Sequence, residues 1–175
     1  MKEILKELSK NHFDPKSDDP QTIPKETGIY CITANSVAQL PTQMRSLTYS
    51  YLNNRPVIYV GISNKSLRTR DYSSHFKGNA RGSTLRKSLG SLLGLERIQS
   101  QNDMGKSRYK FTKSDEMRLS NWMVENIQLH FYTHPEPDLI EQELINFFKP
   151  PLNLKDNKNK ENIDFRSYLI TLRRF

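Results

Sequence analysis

Cysteine is nearly absent: Cys31 is the only one in 175 residues. One thiol excludes a disulfide framework and a cysteine-rich zinc site. Set inside an apolar segment, it reads as a buried, inert thiol. Long apolar runs are also missing. None approaches the ~20 residues that cross a bilayer, so no membrane partner is expected. The opening MKEILKELSKNHF interleaves acids with lysines and carries no apolar stretch of the secretory kind. The expectation is a soluble, cytoplasmic protein. Several catalytic signatures are lacking as well. There is no G-x-x-x-x-G-K-[ST], no G-x-G-x-x-G and no G-x-S-x-G, which leaves out the nucleotide loops and the serine-hydrolase elbow. His130 and His134 are four apart, but HFYTHP reads as a strand end, where that spacing does not favour a metal.

What is present in excess is positive charge. Lys and Arg number 27 against 19 Asp and Glu, a net charge of +8. The excess is local. Residues 64–118 hold 13 Lys and Arg against 5 Asp and Glu, whereas the remainder has 14 of each. A confined basic surface concentrates polyanions and displaces their counterions. A solvated face kept for solubility has the same composition, so charge alone admits both readings.

The length suits a single domain, 1–175, burying roughly 70% of its unfolded surface. Residues 2–10 have a helical period, with Ile4, Leu5 and Leu8 on one face. The Pro- and Asp-rich stretch 14–25 is a loop. TGIYCITAN (27–35) and the almost wholly apolar PVIYVGI (56–62) are strands, the second of a kind covered on both faces. Between them, 36–56 reads as an insertion with a short helix. A basic helix follows from Asn64, then a Gly/Asn turn and a second helix capped by Ser83 or Thr84 and burying Leu85, Leu89, Leu92 and Leu93. RYKFT (108–112) and IQLHFYT (127–133) are strands. The helix between them offers Met117, Leu119, Trp122 and Met123 for burial. Residues 136–148 form another helix, with Leu139, Ile140, Leu144, Ile145 and Phe148 apolar, broken by the prolines of KPPLN. Residues 155–164 are polar and read as mobile. A last helix spans 164–175. The order predicts an α+β fold, a small mixed or antiparallel sheet flanked by helices.

A constellation of polar residues remains. Tyr30 and Tyr59 each lie in a strand beside a glycine, as Gly28-Ile29-Tyr30 and Tyr59-Val60-Gly61. Singly, each reads as a core tyrosine; paired strands would bring both phenols to one face. Arg68, Arg70 and His75 follow on the basic helix. Glu141 lies on a helix that ends at Pro150-Pro151, two residues before Asn153.

The triplets GIY (28–30) and YVG (59–61), then SLRTRDYSSHF (66–76), then EQELINFFKPPLN (141–153), resemble in this order the blocks of the GIY-YIG nuclease family. The last is similar to that of the incision subunit of bacterial nucleotide excision repair. The resemblance covers about 26–155, leaving helices 2–10 and 164–175 as additions. Two departures stand out. Residues 36–56 lengthen the gap between the triplets. The family's arginine lies four before the histidine, whereas Arg70 lies five before His75 and Asp71 takes the usual place. A one-residue insertion makes Arg70 the counterpart, with Arg68 the other candidate.

The resemblance implies a metal-dependent DNA endonuclease with Tyr30, Tyr59, Arg70, His75, Glu141 and Asn153 as its site. Glu141 would be the sole protein carboxylate on one Mg²⁺ or Mn²⁺, which keeps several waters of its own; Glu143 is the competing register. Arg70 would offer phosphate a permanently charged donor fork. His75 would donate to phosphate or relay a proton. The tyrosines would act around the attacking water. A phenol of ordinary pKa ~10 is a poor base, so a nearby cation must assist. Asn153 would hold the site together or contact phosphate. Lys65, Arg68, Lys77, Arg81, Arg86 and Lys87 would line the DNA backbone, along with the amides of the turn 78–83. With no separate recognition domain, the expectation is a small standalone nuclease. It is either restriction-like, with the insertion and last helix as recognition elements, or specific for a structure or single strand. A homodimer would serve a double-stranded substrate. The alternative is a non-catalytic nucleic-acid-binding protein that keeps the fold.

Overall fold

The computed structural model of the chain describes residues 1–99 and 109–174. Helices α1 (Lys2–Lys10), α2 (Thr84–Leu92), α3 (Lys113–Asn126), α4 (Asp138–Phe148) and α5 (Ile163–Leu172) surround strands β1 (His12–Phe13), β2 (Gly28–Ala34), β3 (Tyr51–Leu52), β4 (Arg55–Ser63), β5 (Arg97–Gln99), β6 (Tyr109–Phe111) and β7 (Ile127–Thr133). A π-helical segment, Thr69–Phe76, leads from β4 towards α2. Five strands form one sheet in the order β1-β7-β2-β4-β3, every pair antiparallel. The expected α+β fold is therefore present, with an antiparallel sheet. Arg108 and Phe175, at the edges of two expected elements, lie outside the described residues.

The sheet is covered on both faces, which explains why every residue of β2 is buried. Tyr30, Ile32 and Ala34 point into a large core shared with α2, α3, α5 and the π-helical segment. Ile29 and Cys31 point the other way, into a smaller core under α1 and α4 with Val57, Val60, Leu144 and Phe148. Strand alternation sorts the side chains between the two. His130, on β7, bridges Leu8 and β2. Its Nδ1 lies 3.0 Å from the Leu8 carbonyl and its Nε2 3.1 Å from Thr33 Oγ1. That is a packing role.

Several local expectations are corrected. Met117 and Leu139, expected in the core, are 62% and 73% exposed. Helical period alone left them at the edge of the apolar stripe. RYKFT supplies β6, which pairs with β5 in a separate two-stranded ribbon. The insertion 36–56 holds two 3-10 turns in place of a helix, then β3 and a tight turn into β4. Asn53 and Asn54 form that turn, both with positive φ (50° and 61°), a left-handed geometry asparagine tolerates better than most residues. The polar stretch after Asn153 is laced down. Asn157 donates to the Pro150 carbonyl, Asn159 donates to Asn157 Oδ1, and Lys149 pairs with Glu161. Among the described residues, no helix is long and apolar enough to cross a membrane.

Candidate active site

The register of β2 against β4 explains the two sequence triplets. Tyr30 lies opposite Gly61, and Ile32 lies opposite Tyr59. Tyr30 and Tyr59 are therefore diagonal neighbours on one face, their ring centroids 6.2 Å apart. The Tyr30 ring crosses directly over Gly61. A Cβ there would sit 2.5 Å from the Tyr30 hydroxyl and 2.6 Å from Cζ. Gly28 is required for a similar reason: a Cβ would meet the Tyr132 carbonyl at 2.3 Å. Gly61 is thus a steric necessity of laying the Tyr30 ring across β4, and Gly28 one of the close approach of the β7 backbone and Leu67.

The π-helical segment brings up the next two residues. Its wide turn, seen in the Lys77 N–H bonding back to the Tyr72 carbonyl at 3.1 Å, absorbs one residue more than an α-helix. Arg70 and His75, five apart, thereby act on the same side. His75 is fully buried, its Nε2 2.8 Å from the Tyr30 hydroxyl and its Nδ1 2.6 Å from Ser83 Oγ. Ser83 also caps α2, its Oγ accepting from the Arg86 N–H at 3.1 Å. Burial first, then the Arg70 and Arg86 charges, lowers the His75 pKa to about 3. The ring is neutral, one nitrogen donating and the other accepting. Direct donation from His75 to a phosphate is excluded by this burial; what its position permits is a proton relay with Tyr30.

A cleft of about 660 Å³ opens beside this cluster. Tyr59, Arg70 and Glu141 line it, drawn from β4, the π-helical segment and α4. Tyr30 stays beneath, fully buried, so Tyr59 is the tyrosine that meets the cleft. Its hydroxyl lies 3.2 Å from Thr84 Oγ1 at the start of α2. Glu141 is half-buried; desolvation, then the Asp138 and Asp156 carboxylates, raises its pKa, against the pull of Lys155 and Arg70. Glu143 is exposed and is not part of the cleft wall. Asn153 works as a clasp. Its Oδ1 accepts from the Val60 N–H at 2.9 Å and its Nδ2 donates to the Val60 carbonyl at 2.8 Å, tying the Pro-Pro turn to β4 next to Tyr59.

The donor set suits one kind of metal. Among the described residues, no group of three or more His, Cys, Asp and Glu could hold an ion. Those residues build no zinc-type cage. A half-desolvated carboxylate beside a second one, Asp156, in an open cleft suits Mg²⁺, which takes one or two carboxylates and keeps its waters.

The proposed DNA-backbone residues divide. Lys65, Lys77 and Arg81 are exposed, and Lys87 lines the cleft with its ammonium 4.7 Å from the Tyr109 ring. Arg86 is a correction. It is 0% exposed, its Nη2 pairs with Glu116 Oε2 at 2.7 Å, and its Nη1 donates to the His75 carbonyl at 2.9 Å. It is a strut under His75. Arg68 is corrected too, because its guanidinium donates to the carbonyls of Ile23 and Gln21. The turn 78–83 offers fewer amides than expected: the Ala80 N–H is bound by Glu116, and those of Arg81 and Gly82 by Asn79. Ser83, Thr84, Lys155, Asp156, Arg173 and Arg174 were not singled out for the site from sequence. For Ser83 and Thr84 the capping signal at the turn was visible, but not its link to His75 and Tyr59.

This arrangement, two paired antiparallel strands with a Gly-Ile-Tyr and a Tyr-Val-Gly beside a buried histidine, defines the class of protein. The family model described as the GIY-YIG catalytic domain matches residues 28–175, and the chain belongs to that family, one of endonucleases. No curated protein and no solved structure matches it.

Proposed function

We propose that this nuclease is a cytoplasmic, metal-dependent endonuclease that hydrolyses phosphodiester bonds of DNA in the Tyr59–Arg70–Glu141 cleft. The supporting observation is convergence: three residue types suited to phosphoryl chemistry, from three different elements, one of them some seventy positions further along the chain, line one cleft. Tyr59 orients the attacking water; in its phenolate form, which the bound cation would favour, it accepts the water's proton. Arg70 neutralises charge developing on the phosphate oxygens. Tyr30, His75 and Ser83 form a buried hydrogen-bonded chain that fixes the floor beneath Tyr59. Asn153 fixes the strand carrying it. Glu141 holds a divalent ion, with Asp156 near enough to share its charge. The bound ion, Mg²⁺ or Mn²⁺, would polarise the phosphate and stabilise the leaving oxygen. Cutting both strands with one such cleft per chain takes two copies or two successive nicks.

Cleavage of labelled single-stranded and duplex oligonucleotides, with Mg²⁺ or Mn²⁺ present, tests this reading. Glu141→Ala is expected to lose cleavage by at least a hundredfold, on the order of one lost electrostatic contact in the transition state. Glu143→Ala is expected to keep it. The reverse result would place the carboxylate role on the other face of α4.

A further inference from the structure

The cleft is lined by five cations, Arg70, Lys87, Lys155, Arg173 and Arg174, beside Glu141 and Asp156, and two of them lie outside the stretch that carries the family resemblance. Arg173 and Arg174, just past the end of α5, line it together with Lys87 of α2. Three sets of contacts hold α5 there. Asn162, before its first turn, exchanges two hydrogen bonds with the backbone of Thr48, at 3.0 and 2.7 Å. Phe165 and Leu169 are buried in the larger core. At the far end, Arg97 donates to the carbonyls of Leu172 and Arg174. The insertion, none of whose residues lines the cleft, thus buttresses the helix that does.

Arg173 is held in a costly position. Burial lowers its pKa, and the groups that favour its charge are the phenols of Tyr109 and Tyr59. An arginine stays charged at neutral pH even so. Its Nη1 donates to Ser88 Oγ at 3.3 Å. Among the described residues, no carboxylate pairs with Arg173 or Arg174, in contrast to Arg86 with Glu116. A partly desolvated cation is expensive without an anion beside it. Here it faces a cleft next to the tyrosine that meets the substrate.

We propose that Arg173 and Arg174, with Lys87, form a second phosphate seat that takes a backbone phosphate neighbouring the scissile one. The last helix is then part of the substrate-binding surface. This rests on the nuclease reading of the same cleft. The rival account makes Arg173 a structural strut between α5 and α2 through Ser88.

The test is equilibrium binding of a fluorescein-labelled DNA duplex and of its single strand, measured across a salt series. All proteins carry Glu141→Gln so that the DNA stays whole. Each phosphate contact contributes a slope of roughly 0.7–0.9 to log affinity against log salt. Arg173→Gln with Arg174→Gln is expected to flatten the slope by roughly 1.5, which shrinks the affinity lost between 50 and 200 mM salt by roughly eightfold. Ser88→Ala, which removes the strut and keeps the charge, is expected to leave the slope unchanged. Arg173→Lys is expected to keep it too, and guards against a double variant that folds poorly. An unchanged slope in the folded double variant would overturn the proposal, as would an equal flattening by Ser88→Ala. Those outcomes leave the nuclease reading intact. No binding of either DNA at low salt would overturn both.

Discussion

Gly61 faces Tyr30 across the strand pair because no side chain fits between the ring and the backbone of β4. Gly61→Ala is therefore expected to push the Tyr30 ring off its 2.8 Å contact with His75. Overpacking of this kind costs about 1–3 kcal/mol. The expected outcome is a folded protein with a lower Tm and strongly reduced cleavage, read by thermal melting and a nicking assay. Unchanged activity would mean that the Tyr30–His75 contact is dispensable. At this scale the sequence was informative where a residue's chemistry is rare in its setting. A tyrosine beside a glycine in an apolar strand and a glutamate ahead of a Pro-Pro break both pointed to one cleft. It misled where chemistry is common. Arg86 carries the same charge as Lys87 beside it, yet one is sealed against Glu116 and the other lines the cleft. That difference comes from a partner 30 positions away, and local charge counts carry no trace of it.

Helix geometry resolves the unusual spacing of arginine and histidine. In an α-helix, residues three or four apart share a face. Five apart, they diverge unless the helix widens, and Thr69–Phe76 does widen. Deleting the exposed Ser73 is expected to let this segment relax to an α-helix with Arg70 and His75 four apart. Cleavage should then persist within about tenfold. Arg70→Ala should abolish it, and Arg68→Ala should act on stability instead. Cleavage lost on deletion together with cleavage kept in Arg70→Ala would make Arg68 the functional arginine. The long elements were legible because period and burial act along the chain. β1 and β3, two residues each, were not, since only a partner strand makes them strands. The stretch 155–164 reads as mobile because its composition is polar. Its asparagines instead bond to the Pro150 carbonyl and to each other.

Taken as a whole, the molecule buries two histidines that must stay neutral. Their folded pKa values are lowered from 6.5 to about 3 for His75 and about 4 for His130, in both cases chiefly by burial. Below pH 6.5 the unfolded chain binds these protons and the folded chain does not. Stability is thus complete above that pH and drains away as pH falls through the folded values. Between pH 7 and 5 each histidine should remove roughly 2 kcal/mol, visible as a falling urea midpoint. A midpoint flat across that range would contradict the buried neutral pair. The net charge of +8 is likewise a property of the whole, but its use is local: the cleft sets Arg70, Lys87, Arg173 and Arg174 against Glu141 and Asp156. The most direct test of the central claim is nicking of supercoiled plasmid by the purified protein and by Glu141→Gln, each with Mg²⁺ and with EDTA. The account predicts relaxed or linear product from the wild type with Mg²⁺ alone, and none from the variant, which should still bind the plasmid. Equal cutting by wild type and variant, or binding without cutting by both, would contradict it.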